Sequence, residues 1–314
     1  MTTHSVNGIN NSCKEKYMKK ISRKEFIQKT GAGIAGLSLL PSVTRAGNQY
    51  EEKLRPLGKT GIMVTPLCFG ASRTRDEALL RFALDKDINF LDTGRSYANG
   101  NNERMVGKAV KGNRKDIIIQ SKIHLDESEL TYEGKGKRGA DEMKDILERR
   151  LAESLEALDT DYIDVMLYHS AEVERLVFHD TVLKFWDDQK KNGAIRSHGF
   201  SSHDYELNLV KRNNKDKFYD IIMHPFNFKG SFVHSLSKWS ASWDQELLIE
   251  LLREAHAGGT GIVAMKTCSA GPMGSSNDKG SYRDAVKWVL ANDYISSAAV
   301  AMSSFDQVKE HMME

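Results

Sequence analysis

Eight short apolar runs, each followed by a helix-like segment, constrain the folding of this 314-residue chain more than any other feature. They fall at 67–71, 88–92, 116–122, 162–169, 198–202, 219–224, 261–266 and 297–303, and consist mostly of Ile, Val, Leu, Phe, Met and Ala without clean alternation. Strands buried on both faces read this way, as in a parallel sheet covered on both sides. Between the runs the period changes. Ile146, Leu147, Leu151, Leu155 and Leu158 share one helix face, with Lys144, Glu148, Arg149, Glu153 and Glu156 elsewhere. Similar segments run about 76–86, 103–111, 178–192, 204–213, 244–257 and 281–292, with Asn192-Gly193 and Gly258-Gly259 as helix stops. The pattern predicts an α/β chain folded as a (β/α)8 TIM barrel. A doubly wound sheet is disfavoured, because no Gly-x-Gly-x-x-Gly follows the first run. Residues 54–66 read as a short hairpin that plugs the barrel floor, and Phe305–Glu314 leaves room for a short final helix.

Charge sets the first 46 residues apart. They carry eight basic and two acidic residues, although the chain as a whole is only +2, so residues 47–314, assigned to the barrel, are mildly acidic. That body offers no electrostatic footprint for nucleic acid. The basic run Met18 to Phe26 precedes a small, apolar stretch, Gly31 to Leu40, and then Pro41 and Thr44-Arg45-Ala46, which reads as a leader with a cleavage site. Ten residues span about 15 Å as a helix, half a bilayer core, so the stretch is not a membrane span. Ser22-Arg23-Lys24-Glu25-Phe26-Ile27 resembles the twin-arginine signal, with Lys24 in place of the second arginine. The resemblance implies recognition by export machinery and a periplasmic destination. Cys13, Cys68 and Cys268 are too few and too scattered for a disulfide framework or a metal knuckle, so no metal is expected.

In such barrels chemistry gathers at the C-terminal ends of strands. The second run ends in Asp92-Thr93, with Tyr97 in the loop beyond; the third ends in Lys122 and the fourth in His169. A phenol titrates near 10 and needs a neighbour that stabilises phenolate if it is to move protons near neutrality. A buried ammonium supplies that, and a carboxylate beside it keeps the ammonium charged. An imidazole can then share the same substrate oxygen.

Phe90-Leu91-Asp92-Thr93-Gly94-Arg95-Ser96-Tyr97 through Glu103, with Val106-Gly107-Lys108-Ala109, resembles the aldo-keto reductase signature. Leu54–Gly70 is similar to that family's opening segment and Gly199-Phe200-Ser201-Ser202-His203 to its fifth strand end. The resemblance implies a reductase that binds NADP or NAD across the barrel mouth and acts on a small-molecule carbonyl substrate. Tyr97 would be the general acid, Lys122 paired to Asp92 would lower its pKa, and His169 would orient the carbonyl. Lys122 and His169 are more widely spaced than is usual there, and Thr131–Gly139 reads as an inserted solvated loop, or a flap.

For the cofactor the resemblance implies Ser201 and Ser202 at the nicotinamide amide, Ser202 replacing Asn. Met223 stands where Gln is common, and Phe226 replaces the Tyr that stacks on the nicotinamide. Lys266 would meet the pyrophosphate and the segment of Ser303, Ser304 and Gln307 the adenosine, with Lys309 the basic residue there for a 2′-phosphate. Loops around 72–76, 125–140 and 229–243 would read the substrate; Phe232, His234, Trp239 and Trp243 suggest an apolar or sugar-like carbonyl. Two alternatives stand beside the reductase: a Schiff-base lyase using Lys122 or Lys266, and a non-catalytic nucleotide-binding barrel that senses redox state.

Overall fold

A two-stranded hairpin, β1 (Arg55–Pro56) against β2 (Met63–Val64), precedes the sheet. Its turn passes through Gly58 at φ +59°, where a Cβ would lie 2.4 Å from the backbone of both Gly259 and Gly261. Only glycine allows that approach. Leu57, Ile62 and Val64 are thereby buried against Cys68, Phe90, Ile118, Val165, Ile221 and Val263, which closes the floor of the barrel as the sequence predicts. The computed structural model describes residues 54–130, 137–233, 239–273 and 280–312. The leader expected at 1–46, residues 131–136 of the insertion, and His234 lie outside these described residues.

Six parallel strands follow: β3 (Leu67–Gly70), β4 (Phe90–Asp92), β5 (Ile118–Ile123), β6 (Ile163–Tyr168), β7 (Ile195–Ser201) and β8 (Ile221–Pro225). After a rim hairpin of β9 (Ser231–Val233) and β10 (Ser240–Ser242), β11 (Gly261–Met265) and β12 (Ser297–Ala301) close the ring, with β12 pairing back onto β3. All eight apolar runs thus become barrel strands. Around them lie α1 (Glu77–Asp85), α2 (Asn101–Ala109), α3 (Lys137–Leu158), α4 (Glu174–Val177), α5 (Asp180–Asn192), α6 (Asn208–Asp216), α7 (Gln245–Ala257), α8 (Tyr282–Leu290) and the short α9 (Phe305–Met312). Among the described residues no helix is long and apolar enough to cross a membrane.

Alternation along β5 fixes what each side chain meets. Ile118 packs in the barrel interior, Ile119 and Ile123 pack against the helices, and Gln120 and Lys122 share the inward phase of Ile118. Asp92 pairs with Gln120 and Lys122 with Leu167 in the strand register, so β4 and β5 carry an acid and an amine to the same end of the ring.

Two elements depart from the apolar pattern. β7 starts at Ile195, not 198, because the polar pair Arg196 and Ser197 bonds to Asp164 on β6: Arg196 Nη1 reaches Oδ1 at 2.6 Å and Ser197 Oγ donates to the carbonyl at 3.0 Å. The helix expected at 204–213 runs 208–216, because Asp204 makes a turn instead, its two oxygens accepting from Glu206 N at 3.1 Å and Leu209 N at 3.0 Å.

Candidate active site

The loop after β4 is built around a buried ion pair. Arg95 Nη1 sits 2.5 Å from Glu103 Oε2, and Glu103, fully buried on α2, also accepts from Ser121 Oγ at 2.6 Å. The chain wraps over the guanidinium through three consecutive left-handed residues, Ala98 (φ 49°), Asn99 (φ 53°) and Gly100 (φ 81°). A Cβ on Gly100 would fall 1.7 Å from Arg95 Nη2. Left-handed conformations at non-glycine residues such as Ala98 and Asn99 are held only where surroundings over-determine them. Here they present Tyr97 to the barrel mouth.

Lys122 is buried to 1% exposure, and its Nζ lies 2.5 Å from Asp92 Oδ1 and 2.7 Å from the Thr93 carbonyl. Burial alone would discharge the amine, but Asp92 and Tyr97 together outweigh it, and the Lys122 pKa stands above its ordinary value. The ammonium is 5.0 Å from the centre of the Tyr97 ring. Burial pushes the phenol's pKa up, and Lys122 pulls it back toward the ordinary value. His169, just beyond β6, meets the Tyr97 ring edge-on with centroids 5.5 Å apart. Burial first, then Lys122, His124, His203 and Lys266, lower its pKa to about 3. Its imidazole is therefore neutral at working pH. With Ser96 Oγ 3.4 Å from Nδ1, the tautomer that accepts there leaves Nε2–H to donate. Asp92, Tyr97, Lys122 and His169 thus converge as the sequence predicts.

The expected cofactor residues are more divided. Ser201 is buried at the top of β7, and among the described residues its hydroxyl meets only a weak acceptor, Met265 Sδ at 3.9 Å. Lys266, just past β11 with φ 56°, holds its ammonium 5.4 Å from the Phe232 ring; burial, then Arg73 and Lys122, lower its pKa. Ser303, Ser304 and Gln307 are exposed at the start of α9, where Gln307 Oε1 accepts from Ser303 N at 2.7 Å and Ser304 Oγ accepts from Gln307 N at 3.3 Å. Ser202 is engaged elsewhere, donating to the Ala171 carbonyl at 2.6 Å and accepting from Asp204 N at 2.8 Å. Met223 points into the interior one pleat below the mouth, 3.5 Å from Gln120 Nε2.

Phe226 corrects the expectation of a stacking ring. With Met223 facing inward, position 226 falls on the outward phase of the pleat. Its ring is fully buried, stacked on Trp288 at 5.4 Å and edge-on to Tyr294 at 6.1 Å, and is not presented to the mouth.

Two features escaped the sequence reading. Gln120, fully buried, donates to the same Asp92 oxygen as Lys122 does, at 2.7 Å. A single amide inside an apolar run carries no spacing signal. The second is the β9–β10 hairpin, whose Phe232 and Trp239 pack edge-on at 5.1 Å and meet His203 and Tyr205. The aromatic content of 229–243 was legible, but not its pairing into strands.

Comparison with known proteins agrees with this geometry. The model of the aldo/keto reductase family matches residues 67–289. L-galactose dehydrogenase of Arabidopsis thaliana is 26% identical, the match covering 83% of this chain and 87% of that protein. Among solved structures, an aldo-keto reductase from Bacillus halodurans in its holo form superposes with a TM-score of 0.65 at 25% identity, covering 83% of this chain and 89% of that one. One from Klebsiella pneumoniae in complex with NADP and acetate superposes at 0.61 and 18% identity, covering 83% and 89%, and at that distance shows the fold alone. A family match across most of the barrel, on a chain that brings these four side chains to one strand end, leads to one conclusion: the protein is an oxidoreductase of the aldo/keto reductase family.

Proposed function

We propose that the protein reduces an aldehyde or ketone with NADPH or NADH, or oxidises the corresponding alcohol, with Tyr97 as the general acid or base. The observation that carries this reading is the Lys122 ammonium, 2.5 Å from Asp92 Oδ1 and 5.0 Å from the Tyr97 ring centre. A phenol beside a charge-locked ammonium can give a proton to a carbonyl oxygen and hold the resulting negative charge. His169, neutral, orients that oxygen by donating from Nε2.

The donors at the mouth suit a nicotinamide dinucleotide. Ser201 can exchange a thioether for a carboxamide, Lys266 supplies positive charge for the pyrophosphate, and the first turn of α9, from Phe305, offers N–H groups to the adenosine phosphate side. When bound, that group supplies or accepts the hydride. Membership of the family supports the same cofactor class, and a neighbour of the same fold has been crystallised with NADP. Phe232, Trp239 and Trp243 on the rim favour an apolar or sugar-like carbonyl, in keeping with a relative named for L-galactose.

The Schiff-base alternative requires a neutral amine, and the raised pKa of Lys122 argues against that residue as its nucleophile. Thermal-shift titration with NADP, NAD and their reduced forms, followed by a carbonyl panel, tests the proposal. We expect stabilisation by at least one nucleotide and its oxidation when a carbonyl is added. Binding with no turnover across the panel would favour the redox-sensing alternative.

A further inference from the structure

Gln120 has a donor in use and an acceptor without a partner. Its Nε2 bonds to Asp92 Oδ1 at 2.7 Å and touches Met223 Sδ at 3.5 Å, while Oε1 is buried with no hydrogen-bond partner among the described residues. A buried carbonyl oxygen left unpaired is destabilising. A leucine at this position, lined by the interior faces of Val165 and Met223, would avoid that penalty. The amide is therefore poorly explained by packing. Its orientation is fixed, since a flipped amide would set Oε1 against the carboxylate.

The Asp92 oxygen that receives the amide is the one that holds Lys122. Two donors converge on Oδ1 in a site that is only 5% exposed, and they fix the direction in which Oδ1 points. We infer that Gln120 is a positioning residue: through Asp92 it holds Lys122 as a charged ammonium facing Tyr97, and so sets the proton affinity of that phenol. The inference rests on the reductase reading for its catalytic consequence, but not for its electrostatic one. The ionisable groups around the pair are Cys68 from β3, Tyr97 from the loop after β4, His169 beyond β6 and Lys266 beyond β11. Cys68 is a fully buried thiol whose pKa burial and then Asp92 push up, so it remains neutral. His169 is neutral as well. Lys266 is a cation that acts on Lys122 from the far side of the ring.

The test compares the parent protein, Gln120→Leu and Gln120→Glu, each with and without Tyr97→Phe. The tyrosinate absorbance difference that Tyr97→Phe removes reports this one phenol whether or not the enzyme turns over. It is read at a fixed alkaline pH where circular dichroism shows every protein folded. We expect Gln120→Leu to melt no lower than the parent, yet to raise the phenol's pKa by about one unit, so that its ionised fraction falls several-fold. Gln120→Glu, ionised at that pH, cannot donate to Asp92 and adds a like charge beside it, so it should raise the phenol's pKa at least as far as Gln120→Leu does. An unmoved phenol in Gln120→Leu overturns the inference, whatever the turnover. In assays, Gln120→Leu should lower kcat for alcohol oxidation and move its acidic limb upward by the same unit, with the KM for nucleotide unchanged. A parent that fails to turn over counts against the reductase reading and leaves the phenol titration to decide this one.

Discussion

At the residue scale, buried charge is maintained by partners and buried neutrality by desolvation that no partner outweighs. Asp92 and Lys122 illustrate the first, and His198 the second. His198 is buried on the outward face of β7, stacked on Phe218 at 4.9 Å and on Trp186 at 6.3 Å, with Nδ1 unpaired among the described residues. Burial lowers its pKa to about 4, against the opposing pull of Asp220, whose Oδ2 lies 4.0 Å from Nε2. The unfolded chain takes up this proton near the ordinary value of about 6.5, so between roughly 6.5 and 4 it binds more protons than the folded chain. Stability from this residue is therefore complete above about 6.5 and is lost as pH falls toward 4, by on the order of 3 kcal/mol. His198→Phe keeps the ring stack and carries no proton. Its melting temperature should fall less steeply than the parent's across that window; parallel slopes would show that His198 does not contribute. His169 adds a slope of the same sign but is present in both proteins. The four residues that converge at the mouth were legible in the sequence because each stands at or just beyond a strand end and has chemistry that needs the others. Gln120 was not, because its meaning lies in a hydrogen bond, and Phe226 was misread because the phase of the pleat at the end of β8 decides its direction.

At the scale of elements, the loop between β4 and α2 is the working part, and the Arg95–Glu103 pair is its fastener. Arg95→Met would strand the Glu103 carboxylate at 0% exposure with only Ser121 as a donor. Breaking such a pair costs about 3–5 kcal/mol, because one charge remains buried and unpaired. Denaturant titration should show a loss of that order, and Arg95→Met/Glu103→Gln should recover part of it by removing the stranded charge. If the single variant is as stable as the parent, the pair is not what holds the loop. Strand and helix positions were legible to within a few residues where apolar residues carried them. Departures occur where polar side chains bind backbone or one another: Arg196 and Ser197 at the start of β7, Asp204 before α6. The β9–β10 hairpin was not foreseen because its three-residue strands show no period of their own.

At the scale of the molecule, closure of the ring makes the site. β4, β5 and β6 are neighbours, so Asp92, Lys122 and His169 meet without any long excursion, while β7, β11 and β12 carry Ser201, Lys266 and the α9 N-terminus around the rest of the mouth. The count of eight runs and the residues at their ends were enough to place this arrangement from sequence; the partners of each residue required coordinates. The proposed role of Tyr97 as proton carrier is tested most directly by single-turnover reduction of a carbonyl by parent and Tyr97→Phe, with nucleotide affinity measured on both. We predict a loss of about 10²–10⁴ in the rate with affinity nearly unchanged. A variant that turns over at the parent's rate would contradict the account.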